Sequence, residues 1–232
     1  MQSPQALIDA VERAAAPPAG DTEQFVGYGV TGVPFSSGHV LALRRFAASS
    51  IGPGYTSVWI RNTAGAWSMH GTVDPGLSCP RYFGSALESA STSRISITWS
   101  KSDAFTVDVD GGVALHWELT LRPTPVTRLM SAVSGAAPER LWRSQHFLKA
   151  MGAVASPLLG AGRIGLTGHV PNGQSFAVRP RYMWFVAGSR AVLGGQDLGT
   201  PTALPVQDKL GDFWIPQRGI LMLGTAVFEP GA

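Results

Sequence analysis

Three observations predict a mainly β chain folded as an antiparallel β-barrel with one N-terminal and one internal helix. Between Arg94 and Leu121, apolar and polar residues alternate through three consecutive runs, the period of strands with one dry and one wet face. Runs of the same kind recur along the chain, roughly a dozen in all, with short links and no βαβ rhythm. The 28 glycines supply the bends and bulges that closing a barrel requires. A length of 232 residues suits one domain of this class. Residues 1–18 are therefore expected as a helix and 19–232 as a single barrel, interrupted by a helical insertion at 138–156.

Taken in order, Ser3 to Ala16 reads as a helix. Ser3 is its N-cap, Pro4 sits in its first turn, and Leu7, Ile8, Val11 and Ala14 or Ala15 form an apolar stripe. Pro17-Pro18 stops it. Phe25, Tyr28 and Val30 then lie in a glycine-broken strand, and His39 to Phe46 is a second. Tyr55 to Arg61 and Ala66 to Thr72 flank the turn Asn62-Thr63-Ala64-Gly65. In the alternating stretch, Ile95, Ile97 and Trp99 lead to a polar turn at Ser100 to Asp103. Phe105, Val107 and Val109 follow, and Gly111-Gly112 closes a hairpin onto Val113, Leu115, Trp117, Leu119 and Leu121. This is a three-strand meander, and Pro123 and Pro125 end it. Pro138 to Ala155 is the internal helix, with Pro138 in its first turn and Leu141, Trp142, Gln145, Leu148 and Met151 near one side. Gly160-Ala161-Gly162 returns the chain to strands at Arg163 to Val170, Gln174 to Val178, Tyr182 to Val186, Ala191 to Leu193, Leu204 to Lys209 and Gly219 to Phe228. Pro171-Asn172-Gly173 is a turn among them.

Composition excludes several function classes. Only 14% of residues are charged, against about 25% in an average soluble protein. The net charge is +3, but only Arg44 and Arg45 are adjacent, so no basic face for nucleic acid is visible. A surface this neutral suits a homodimer interface or a protein lined by a neutral cavity. The single cysteine, Cys79, rules out an internal disulfide. The N-terminal stretch lacks the basic region of a signal peptide, and no window is apolar enough for a membrane span. The chain reads as cytoplasmic.

No metal motif is present, because His39, His70, His116, His146 and His169 have no ligand spacing. Gly160-Ala161-Gly162 lacks the lysine and helix of a phosphate loop, and no Gly-x-Ser-x-Gly elbow exists. Three segments carry candidate chemistry. Ser78 to Gly84 sets Cys79, Arg81, Tyr82 and Phe83 in one loop, either as a packed loop or as a pocket lip in which Arg81 and Tyr82 hold a ligand. Gly211 to Gly219 combines Asp212, Trp214, Gln217 and Arg218. Asp212 and Arg218 form an ion pair at the barrel mouth, or Trp214 walls a ligand that Asp212 or Gln217 reaches. The polar face of the third meander strand carries His116 and Glu118. In an open sheet that face meets water; in a barrel it faces the lumen, where the two would serve as proton donor and acceptor. His169 and Asn172 would contribute from a neighbouring edge. Of the seven tryptophans, Trp59, Trp99, Trp117 and Trp184 lie in strands, and each suits the core or an apolar pocket wall.

The meander ending Leu115 to Pro123, the turn Gly168 to Gly173 and the closing run Gly219 to Glu229 resemble those of lipocalin-like (calycin) β-barrel proteins grouped with carotenoid hydratases (hydroxyneurosporene-synthase-like) and with pericyclase relatives. Members of that family commonly carry two barrels, and this chain has length for one. The resemblance implies a cavity for a hydrophobic small molecule and chemistry without a cofactor. The leading expectation is a barrel that binds a lipid, terpenoid or polyketide. The alternative is a cofactor-independent isomerase, cyclase or hydratase acting through His116, Glu118 and Asp212. A third is a structural protein whose neutral surface dimerises.

Overall fold

The computed structural model describes residues 3–17 and 20–229. Pro18 of the expected helix stop lies outside them. Helix α1 (Pro4–Ala14) begins at Ser3, whose hydroxyl accepts from the Ala6 N–H at 3.3 Å. Strands β1 (Glu23–Pro34), β2 (Val40–Ser49), β3 (Tyr55–Arg61) and β4 (Trp67–Gly71) follow, then the short helix α2 (Pro80–Phe83) and β5 (Ser89–Thr92). The meander is β6 (Arg94–Lys101), β7 (Ala104–Asp110) and β8 (Leu115–Arg122). Two helices come next, α3 (Pro125–Ala136) and α4 (Gln145–Leu159), and then β9 (Thr167–His169), β10 (Ser175–Leu193) and β11 (Gln196–Asp197). A small hairpin, β12 (Lys209–Leu210) and β13 (Phe213–Trp214), precedes β14 (Ile220–Glu229).

Ten of these strands form one curled path in the order β5-β4-β3-β2-β1-β14-β10-β8-β7-β6, with β9 and β11 added along β10. The expected closed antiparallel barrel is corrected here: the sheet is open and mixed, because β4 and β5 run parallel. The two edge strands are nevertheless consecutive in the chain, separated by Ser93 alone. The Ser93 N–H donates to Gly71 O at 2.7 Å and its hydroxyl to Gly111 O at 3.2 Å, so one residue ties the two edges.

The inside of the curl holds a buried apolar core. Val30, Leu41, Leu43, Val58 and Ile60 from one half meet Phe105, Val107, Trp117, Leu119 and Leu121 from the other. Helix α1 covers this core with Ile8, and the Arg45 guanidinium holds Glu12 of that helix through two hydrogen bonds of 2.8 and 2.7 Å. The outer face is covered as well. Over the first half, Ala42, Tyr55, Trp59 and Met69 pack under α2 and the β12–β13 hairpin. Over the second half, Met183, Phe185 and Ile220 pack under Met130, Trp142 and Leu148 of the helical region. A sheet buried on both faces explains why β2 and β3 read as nearly continuous apolar runs.

The helical region is larger than the expected insertion at 138–156. Thr124 caps α3 with reciprocal bonds to Thr127, and Pro125 occupies its first turn, so the prolines that end the meander also start a helix. Pro138 stands outside a helix; Ser144 caps α4 instead. The three predicted runs between Gln174 and Leu193 are one strand, β10, bent at register shifts beside Pro180 and Gly188. Among the described residues no helix is long and apolar enough to cross a membrane.

Candidate functional site

Free space lies against the outer face of the first half of the sheet. The inner cavity, of about 100 Å³, has Arg44, Phe46, Tyr55 and Trp59 of β2 and β3 on one wall. Cys79, Tyr82 and Phe83 of the α2 segment, and Phe213 and Trp214 of the hairpin, form the others. An outer cleft of about 460 Å³ shares Ile164, Gly165, Leu166 and Trp214 with it and continues to Lys149, Arg163, His169 and Asp212.

Two anchored segments cover the cavity. Glu23 at the start of β1 accepts from Tyr82 Oη at 2.6 Å, from Arg81 Nη2 at 2.7 Å and from Gln174 Nε2 at 3.3 Å. Burial raises the Glu23 carboxyl, but the donations from Arg81, Tyr82 and Gln174 outweigh it and hold the group below its usual value. Asn172 adds two bonds, from its N–H to Tyr82 O at 3.1 Å and from Nδ2 to Arg81 O at 3.0 Å. The hairpin is held by Asp208, which accepts from Arg61 Nε and from Trp67 Nε1. Its bend requires Gly211, where φ is +62° and an added Cβ would meet His169 O at 2.6 Å.

Arg44 is the unusual member of the wall. Strand β2 runs between β1 and β3, and its alternation puts Arg44 on the same face as Val40, Ala42 and Phe46. The residue is 9% exposed. Nη1 donates to Val30 O at 2.7 Å and Leu43 O at 2.8 Å, while Nη2 has no partner among the described residues. The guanidinium lies over Trp59, 4.6 Å from the ring centroid, and 5.5 Å from that of Phe213. Burial pushes its pKa down to about 10, which leaves it charged at neutral pH. Among the described residues no carboxylate lines the cavity. The Cys79 thiol, 3.4 Å from Tyr55 Oη, does not balance the charge either. Burial pushes the thiol up, against the opposing effect of Tyr55 and Arg44, so it stays protonated. Ser57 Oγ, directly opposite Arg44 on β3, and Trp59 Nε1 have no nitrogen or oxygen partner among the described residues, and both lie beside the Cys79 thiol.

The sequence-predicted residues fall in several places. Tyr82 and Trp214 line the inner cavity, and His169, Asp212 and Trp214 line the outer cleft. Arg81 lines neither space and is bonded to Glu23, and Asn172 positions the loop through Tyr82 O and Arg81 O. Trp99, Trp117 and Trp184 belong to the packed core inside the curl, where Trp117 Nε1 donates to Ser189 Oγ at 2.8 Å. His116 and Glu118 are on the solvent face of β8, with His116 bound to Asp108 at 2.7 Å; they do not face a lumen. Asp212 and Arg218 do not pair. Asp212 accepts from the His169 N–H at 3.0 Å, and Arg218 rests 3.8 Å over the Phe185 ring. The Gln217 amide is spent on Leu204, at 3.0 and 2.9 Å. Sequence reasoning missed Arg44, Tyr55 and Phe213 as wall residues; of the strand tryptophans it singled out, Trp59 is on the cavity wall. Among the described residues no cluster of His, Cys, Asp and Glu is placed to hold a metal ion.

Among solved structures the chain is similar to acetoacetate decarboxylase from Legionella pneumophila, at 11% identity and a TM-score of 0.43, over 94% of this chain and 88% of that one. No protein-family model matches the chain, and no curated protein does.

Proposed function

We propose that the chain binds a small, largely apolar molecule in the inner cavity. The observation that carries this reading is the wall itself: aromatic rings approach the same space from the sheet, from α2 and from the hairpin. Trp59 packs 4.8 Å from Phe83 and 5.9 Å from Phe213, and Phe213 lies 5.5 Å from Phe176. Apolar walls with a few placed polar groups are the usual make-up of small-molecule sites. The free space of about 100 Å³ admits about seven to ten water-sized positions at roughly 10 to 15 Å³ each, and so a ligand of about that many non-hydrogen atoms. That is smaller than the lipids or polyketides expected from sequence, although the ligand class, hydrophobic, is the one the lipocalin-like resemblance implies.

The test is calorimetric titration with toluene and indole. Saturable binding with a Kd on the order of 0.1 to 1 mM is the expected result for ligands this small. Ala226 lines the cavity from β14, and Ala226→Phe should weaken binding at least about tenfold by filling that space. Absence of saturable binding in the wild-type protein contradicts the proposal.

A further inference from the structure

We propose that the inner cavity contains an anion subsite at Arg44 and that its ligand is a small monocarboxylate whose apolar body occupies the aromatic space. The inference rests on the cavity reading above and names the ligand class for the same site. A buried guanidinium is ordinarily paired, because an uncompensated charge in an apolar wall is costly. Here two backbone carbonyls take Nη1, and Nη2 is left without a partner in a cavity that has no acid. A ligand carboxylate supplies both what the charge and what the free N–H group lack.

Two further features select a monoanion. Among the described residues the inner wall carries two cations, Arg44 and Arg179; the Arg179 charge is already matched by Glu139, Nη1 to Oε1 at 3.1 Å, although its buried Nε has no partner there. A phosphate dianion would bring a second charge with nothing to match it. The outer cleft, which shares one wall with the cavity, presents Lys149 and Arg163 against Asp212 as its sole acid. A net positive vestibule raises the local concentration of anions and favours their entry.

The experiment compares benzoate with benzamide, matched in size and shape, by calorimetry at pH 7 on the wild-type protein and on Arg44→Met. The expected result is a preference for benzoate of at least about tenfold in the wild type, the scale of a charge-assisted hydrogen bond, and a ratio near one in Arg44→Met. Equal binding of the two by the wild type overturns the anion subsite and leaves the apolar cavity standing. A benzoate preference that survives in Arg44→Met also overturns it, since the charge is then read elsewhere. Binding of toluene with neither benzoate nor benzamide overturns it too, whereas failure of toluene, indole and both probes overturns the cavity reading itself. The wild-type ratio needs no variant, so the inference stays falsifiable if Arg44→Met does not fold.

Discussion

Arg44 keeps a full charge in the middle of a strand whose neighbours on the same face are Val40, Ala42 and Phe46. Its compensation is partial: two carbonyl oxygens and two aromatic faces. Replacing a buried charged group by an apolar side chain of similar length is often neutral or stabilising. Arg44→Met is therefore expected to keep or raise the melting temperature of the unliganded protein, by on the order of 2 to 4 °C for a gain near 1 kcal/mol. A calorimetric melt checks this, and a fall of several degrees would mean that the guanidinium is a structural strut. The residue was within reach of the sequence. Alternation in Val40 to Phe46 groups it with apolar side chains, but the pair Arg44-Arg45 is weighed there only as a candidate basic run for nucleic acid. What the sequence could not supply was the partner list: Tyr55, Ser57 and Trp59 come from β3, and Cys79 and Phe213 from segments far along the chain.

At the scale of elements, the cavity depends on two short pieces with little regular structure of their own, α2 and the β12–β13 hairpin. Each is fastened by one carboxylate, Glu23 and Asp208. Glu23 is 21% exposed and accepts from three side chains. Glu23→Gln should cost roughly 1 to 3 kcal/mol at pH 7, because bonds from Arg81 and Tyr82 lose their charged acceptor. Because the folded-state pKa of Glu23 lies below its ordinary 4.5, its contribution is present above that value and is lost as pH falls through the lower folded value. The stability gap between wild type and variant, followed by urea melts, should accordingly close as the pH is lowered; a gap independent of pH would contradict the assignment. Strand elements were legible where one face is wet, as in β6 to β8. Helix α3 was not, because Pro123 and Pro125 read as a stop when Thr124-Pro125 is a cap and first turn. The bends in β10 broke one strand into three runs for a similar reason: Pro180 and Gly188 interrupt the pattern while the strand continues through bulges.

For the whole molecule, the curl of the sheet decides where function can sit. Its inside is occupied by Trp117, Trp184, Phe105 and their neighbours, a buried core that stabilises the fold. Space is found on the opposite face, where short loops bridge over the sheet. Alternation identifies a dry face but cannot tell which of two dry faces encloses a cavity, and for that reason the tryptophans of the core were read as wall candidates. The central claim is that this outer face, between β1–β3 and the covering loops, is the ligand site. The most direct measurement is anomalous diffraction from a crystal of the protein soaked with bromobenzene. A bromine peak is expected in the inner cavity, among Trp59, Phe83 and Phe213. Bromine confined to the exposed surface or to the inside of the curl, with the inner cavity clear, would contradict it.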